Sequence, residues 1–245
     1  MSNEFYIEDS LSGKQLNHQS TSLVVPQTFR NRVMSSMYYK VNLTPISMRG
    51  DTIVQLIPII VRDLGSLNER KSPHMGVCGG VEFKCLLMKM INLRPPWDQL
   101  KVLLEPHESF NNKYITVLIL CYLRISYYFL SETHSNEQGI SFGLLHDMMK
   151  KYIKDHRKLK SYPLDVDCWS QAIKKELVIS HLDEIVDWLC EKSEIWGIPL
   201  GKCSWCKIWD DDDDDENSDS GSDSDSDSDS ISDTDSASNS SESNE

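Results

Sequence analysis

No lysine or arginine stands anywhere between Asp210 and Glu245, a stretch that holds 16 acidic residues. That absence divides the chain. With the tail set aside, Met1–Trp209 carries 25 basic against 22 acidic residues, so a nearly neutral body bears a strongly anionic end. The net charge of -13 for all 245 residues describes the tail alone, and a tail of that sign repels nucleic acid. Also lacking is a basic or apolar leader: the opening "MSNEFYIEDS" is polar and acidic. The seven cysteines are odd in number and several lie in apolar runs, where a thiol behaves as a small core residue. An oxidising compartment is therefore not expected, and the chain reads as cytosolic or nuclear.

Other absences narrow the chemistry. The longest apolar run, Tyr114 to Leu130, approaches the roughly 20 residues needed to cross a bilayer, but Arg124 interrupts it and both flanks turn polar at once. A charge at mid-bilayer is expensive, so a central helix of a soluble domain is expected, with Arg124 emerging at a surface or meeting an internal carboxylate. Gly76, Gly79 and Gly80 precede a helix, yet no Lys-Ser or Lys-Thr follows as in a phosphate-binding loop; a tight turn admitting close backbone packing fits better. Cys203 and Cys206 form a lone Cys-x-x-Cys with no second pair, so zinc would need Cys168, Cys190 or His181 brought in by folding. No Ser, His and Asp arrangement stands out. No catalytic, metal or cofactor residue is assigned.

What is present is helical periodicity. The pattern begins at Phe29. Thr44-Pro45 reads as a helix start, followed by Ile53, Leu56, Ile57, Ile60, Val61 and Leu64 at helical spacing, with Pro58 predicting a kink or break. Val81 to Leu93 is apolar on nearly every side and must be central; Pro95 and Pro96 end it. The helix beginning near Asn112 is equally apolar, which places the two against each other. A third helix is predicted from about Ser141 to Leu159, with Phe142, Leu145, Met149, Tyr152, Ile153 and His156 on one stripe. After an irregular link, helices are predicted through "SQAIKKELV" and "SHLDEIVDWLCEK". Strand signals are few and no internal repeat is found. The expected fold is mainly α: a poorly structured segment 1–28, a single multi-helix domain 29–209 with little or no β structure, and a disordered acidic tail 210–245.

Three groups of residues carry candidate functions. On a helical wheel, Leu182, Ile185, Val186 and Leu189 gather on one side of the stretch 180–192, while Asp183, Glu184 and Asp187 face away. Four residues beyond His181 stands Ile185, not a second ligand. Ser180, three before Asp183, fits a capping box, so an acidic outer face is expected rather than an active site. Lys150, Lys151, Lys154, Arg157 and Lys158 form a basic segment, predicted helical over 150–160, suited to RNA, to an acidic partner or to the chain's own tail. In the tail, Ser220, Ser222, Ser224, Ser226, Ser230 and Ser232 each precede an Asp by three residues, the context favoured by acidophilic kinases of the casein-kinase-II type.

Six stretches occur together and in order: "RNRVMSSMYYKVNLT", "GGVEFKCLLMKM", "KYITVLILCYLRISYYFL", "DHRKLKSYPL", "HLDEIVDWL" and "WGIPLGKC". Over Arg30 to Lys202 the chain resembles the pre-mRNA-splicing factor 38 family, its yeast members most closely. The resemblance implies a mainly α-helical, non-enzymatic scaffold of the nucleus. It would join the U4/U6.U5 tri-snRNP, act in the precatalytic spliceosome, and be required for the activation that releases U4 RNA. It also implies two partners, a matrin-type zinc-finger splicing factor and a splicing protein related to microfibril-associated protein. Two departures limit the carry-over. Animal members have a long Arg-Ser-rich tail where this chain has Ser-Asp, and after Ile198-Pro199 the animal pattern has Arg where Leu200 and Gly201 intervene before Lys202. Under this reading Asp183, Glu184 and Asp187 dock a basic partner helix; the competing reading is an RNA-binding module using the basic segment.

Overall fold

A computed structural model describes residues 25–43, 52–65, 67, 76–127, 138–164, 169 and 176–200. By contacts the chain parts into Met1–Ile208 and Trp209–Glu245, and every described residue belongs to the first unit. The expectations for segment 1–24, for Thr44-Pro45, for Cys168, Cys203 and Cys206 and for the six tail serines fall outside the described residues, as does most of the helix predicted through 170–178; its described end is not helical, since Glu176 and Leu177 are irregular and Val178 opens a strand.

Eight helices and two small strand pairs make up the described fold. In order they are α1 (Gln27–Ser35), α2 (Met37–Asn42), α3 (Ile53–Leu64), α4 (Val81–Leu93), α5 (Trp97–Leu104), α6 (Lys113–Ser126), α7 (Phe142–Tyr152), β1 (Lys158–Ser161), β2 (Val178–His181), α8 (Leu182–Glu191), β3 (Glu194–Ile195) and β4 (Ile198–Pro199). The mainly α architecture read from the periodicity is the one observed.

α4 and α6 form the centre. Every residue from Phe83 to Ile91 and from Tyr114 to Ser126 is buried, which is why neither helix shows a polar face in sequence. α1, α2 and α3 pack on α4, and α5, α7 and α8 pack on α6. Each fully buried Leu, Ile or Val of these helices stabilises the fold by about 1.5–3 kcal/mol. α4 stops where Arg94 turns into the left-handed region, φ 49°, ahead of Pro95 and Pro96. α3 starts at Thr52, whose hydroxyl accepts from the Gln55 N–H, and it runs on through Pro58 to Leu64.

A buried polar cluster ties α2 to α3. Asp63 is buried and accepts from the Tyr38 hydroxyl and from Arg62 Nε (2.6 Å) and Nη2 (2.8 Å); Arg62 Nη2 also reaches Asn42 Oδ1 at 3.0 Å. Burial, then the Asp63 carboxylate, raises the Tyr38 pKa well above its usual range, so its proton stays on the bond.

The glycine turn before α4 does the packing work expected of it. Gly79 sits at φ +75°, and a Cβ there would meet the Trp196 ring at 2.5 Å. Trp196 is itself buried. Its indole N–H donates to the Tyr162 carbonyl at 2.8 Å, and its ring meets Phe83 edge-on. Trp196 (φ 51°) and Gly197 (φ 76°) form the turn between β3 and β4, both positive as a two-residue hairpin requires.

Three other sequence expectations are corrected. The helix predicted to reach Leu159 ends at Tyr152, and His156 is not on its buried stripe. Asp155 Oδ1 accepts the backbone N–H of Arg157 at 3.1 Å, a local turn that competes with the helical ladder. Lys158–Ser161 then runs as β1, antiparallel to β2 in the register Lys158↔His181 to Ser161↔Val178. Arg124 does not reach the surface. It is fully buried, donating Nε to the Leu189 carbonyl at 3.0 Å with its guanidinium 5.7 Å from the Tyr127 ring. The exposed C-terminal carbonyls of a helix carry partial negative charge, and α8 supplies one to this cation. Ser180, the third correction, belongs to the site below.

Candidate protein-docking site

β1 and β2 deliver the chain into α8. Ser180 lies in β2, buried, with its hydroxyl bonded to Ser161 Oγ at 2.8 Å, so it does not cap the helix. The cap falls one residue later, on His181, whose N–H donates to Glu184 Oε2 at 3.1 Å. The next two N–H groups are also taken: Leu182 donates to the Arg157 carbonyl at 3.2 Å and Asp183 to the Asp155 carbonyl at 3.0 Å. With its first donors satisfied by the preceding turn, α8 has no need of a serine cap.

That turn is held by Arg157. Its Nε lies 2.9 Å and 3.0 Å from the two Asp155 carboxylate oxygens, and Nη1 donates to Asn112 Oδ1 at 2.7 Å, just ahead of α6. The sequence pattern offered Arg157 as one more cation of a basic face. Its role as a latch between the α7–β1 turn and α6 was hidden because Asn112 lies 45 residues away. The other basic candidates are spread out. Lys150 and Lys151 sit in the last turn of α7, which suits the helix dipole, and Lys151 lies 5.2 Å from the Tyr152 ring. Lys154 lies exposed in the turn. Lys158 is in β1, its carbonyl accepting from Lys113 Nζ at 3.0 Å. The predicted basic helix 150–160 is thus a helix end, a turn and a strand, and its cations share no single helical face.

α8 itself follows the wheel. Leu182, Ile185, Val186 and Leu189 are buried against α6 and α7, while on the other side Glu184 is exposed and Asp183 and Asp187 are half-buried, with Asp183 Oδ1 buried and unbonded among the described residues. Asp183 Oδ2 pairs with His156 Nδ1 at 3.0 Å, and Glu184 is engaged in the cap. Among the described residues Asp187 has no such partner; partial burial, then the neighbouring Glu191 and Asp183, raise its pKa, while Lys192 opposes the shift. Asp183, Asp187 and Glu191 stand four residues apart in turn, so like charges stack along one stripe. Near the N-terminus such charge suits the dipole. Glu191 in the last turn does not, and no basic residue occupies that turn. The helix therefore keeps a negative stripe that costs it stability in isolation and that a cationic partner would relieve.

Among the described residues, no three His, Cys, Asp or Glu side chains gather where they could hold a metal ion. Cys78, Cys85, Cys121 and Cys190 are buried and form no disulfide among the described residues, and burial pushes the thiols of Cys78 and Cys121 well above the usual thiol pKa. Among the described residues no helix is long and apolar enough to cross a membrane.

The PRP38 family model matches residues 14–213 of this chain. The chain belongs to the PRP38 family. Pre-mRNA-splicing factor 38 of Saccharomyces cerevisiae is 45% identical over 215 residues, covering 86% of this chain and 89% of that protein. A chain in the crystal structure of the Snu23-Prp38-MFAP1(217-258) complex of Chaetomium thermophilum shares the fold, with a TM-score of 0.54 and 21% identity over 80% of this chain and 84% of that one. Within this PRP38 fold, α6, α7 and β2 are the parts that position α8.

Proposed function

We propose that this chain is a non-enzymatic scaffold of the spliceosome that presents separate surfaces to several proteins at once. The observation that carries the reading is the 45% identity to a splicing factor over nearly the full length of both chains. In the finer form of the proposal it works in the nucleus, joins the U4/U6.U5 tri-snRNP, and serves in the precatalytic spliceosome for the activation that releases U4 RNA. Its partners are a matrin-type zinc-finger splicing factor and a microfibril-associated-protein-related splicing factor. The solved complex of similar fold, whose components are Snu23, Prp38 and MFAP1, supports that pair. α8 is the docking element assigned here: Asp183, Glu184 and Asp187 meet a cationic partner helix, favoured by the like-charge stripe that nothing within α8 neutralises. In the tail, phosphorylation at Ser220, Ser222, Ser224, Ser226, Ser230 and Ser232 would each add about -1.5 to -2 charge.

The test is co-precipitation of the two partners with the full chain, wild type or with Asp183, Glu184 and Asp187 all reversed to Lys. An intact fold with clearly reduced capture is expected of the variant. Undiminished capture removes α8 from the docking role. Gel shifts with U4/U6 RNA accompany it: salt-sensitive RNA binding lost on reversing Lys150, Lys151, Lys154 and Lys158 to Glu would favour the RNA-binding reading instead.

A further inference from the structure

The bonds around β1 settle which way each peptide group of β2 faces. Lys160 O accepts from the Cys78 N–H at 2.9 Å and the Tyr162 N–H donates to Cys78 O at 3.0 Å, while the Lys160 N–H donates to the Tyr114 hydroxyl at 3.1 Å. Lys158 O accepts from Lys113 Nζ at 3.0 Å. Lys158 and Lys160 therefore turn their peptide groups away from β2. In the observed register the pairs Lys158↔His181 and Lys160↔Ile179 are the non-hydrogen-bonded ones, and the ladder runs through Leu159↔Ser180 and Ser161↔Val178. The N–H and C=O of Ile179 consequently point to the far edge of β2. The His181 N–H does the same, and there Glu184 takes it.

Among the described residues, that edge at Ile179 carries none of the usual protection. Natural edge strands are blunted by lysine, proline, a bulge or a covering element. Here Leu177, Val178 and Ile179 are consecutive apolar residues with relative exposures of 40%, 38% and 70%. Among the described residues no strand pairs with the open side of β2. Two lysines of β1 flank it: Ile179 stands beside Lys160 and His181 beside Lys158, while the Glu184 carboxylate closes the end at His181.

We propose that the free edge of β2 accepts an extended segment of a partner protein as an added antiparallel strand. Its chemistry follows from the face it joins. An apolar residue lies opposite Ile179 and exchanges both backbone hydrogen bonds with it. Of the carboxylates two residues to either side, the one opposite His181 is in line with Lys158 and the one opposite Leu177 reaches diagonally toward Lys160, across neighbouring strands spaced about 4.8 Å apart. This surface adjoins the start of α8 at Glu184 and takes a partner of the opposite sign to the one that the acidic stripe takes.

A fluorescein-labelled peptide, Thr-Glu-Thr-Val-Thr-Glu-Thr, is the probe, and the full chain is the target. Saturable anisotropy is expected, together with exchange protection of the Ile179 amide. N-methylation of the valine, whose N–H meets Ile179 O, should weaken binding about ten-fold, equivalent to about 1.4 kcal/mol. Methylation of the central threonines, whose N–H groups face away, should leave it unchanged. Replacing both glutamates with lysine should weaken it by a similar factor, as should Ile179→Asp, which lies outside the core and should leave the melting curve unaltered. The methylation arm alters only the peptide, so it decides the matter even if the variant misfolds. No binding at about 1 mM peptide, equal loss from methylating either peptide edge, or indifference to the sign of the peptide's charge would each overturn the proposal. A concentration-dependent dimer of the chain that Ile179→Asp dissolves would also overturn it, assigning the edge to a second copy.

Discussion

Replacing Asp187 with asparagine is expected to stabilise the isolated protein at neutral pH. Asp187 lies four residues after Asp183 and four before Glu191, and like-charge pairs at that spacing cost about 0.2–0.5 kcal/mol each. Removing the shared member relieves both, so the gain is about 0.4–1 kcal/mol before the modest attraction to Lys192 is deducted. Asparagine keeps the size of the side chain, and the apolar face of α8 is untouched. The pH dependence has a definite sign. The Asp187 pKa is raised in the folded state, first by burial and then by Glu191 and Asp183, so the charged form is penalised on folding. That penalty is fully present above the raised folded value. It fades as the pH falls through that value, and it vanishes below the ordinary 3.8, where the group is protonated in both states. Urea unfolding of both proteins at pH 7.5 and again near pH 3.5 measures the difference. A variant less stable than wild type at neutral pH, or a gain that persists undiminished in acid, would refute the like-charge account of α8. The same variant should capture a cationic partner less well, so that stability and binding move in opposite directions.

Gly79→Ala should destabilise by about 2–4 kcal/mol, combining a left-handed backbone with a Cβ placed 2.5 Å from Trp196; an unchanged thermal midpoint would show that the turn can relax. Arg124→Met keeps volume but leaves the Leu189 carbonyl without its donor. A loss of about 1–3 kcal/mol is expected in urea titration, with hydrogen exchange accelerating first at the C-terminal end of α8. Tyr38→Phe removes one donor from buried Asp63 and should cost a similar amount, about 1–3 kcal/mol; a neutral result would mean that Arg62 alone satisfies the carboxylate.

What could be read in advance was whatever depends on burial of a whole circumference. Val81–Leu93 and the run from Lys113 are apolar on all sides, and no arrangement but a central pair buries them; that is how they are found. The wheel likewise separated Leu182, Ile185, Val186 and Leu189 from Asp183, Glu184 and Asp187. Features decided by distant partners were not legible. β1 and β2 are four residues each and lie 17 residues apart, too short for alternation to outweigh a helical pattern that ran on through His156. Ser180 looked like a cap because its competing partner, Ser161, is set by strand register rather than by local sequence. The contact of Arg124 with the Leu189 carbonyl was not legible either, since nothing local reveals that a helix end will arrive beside it. Family resemblance supplied the identity, and the periodicity supplied the faces.

The central claim, a spliceosomal scaffold, is tested most directly by replacement. Yeast splicing extract depleted of its own factor 38 would be supplemented with this full chain, and U4 RNA remaining on the assembled particles would be followed on native gels. The account predicts that the chain enters particles holding U4, U5 and U6 RNA and restores U4 release and splicing, whereas the variant with Asp183, Glu184 and Asp187 reversed to Lys leaves U4 bound. Failure of the wild-type chain to join those particles, or release of U4 equally well without it, would contradict the account.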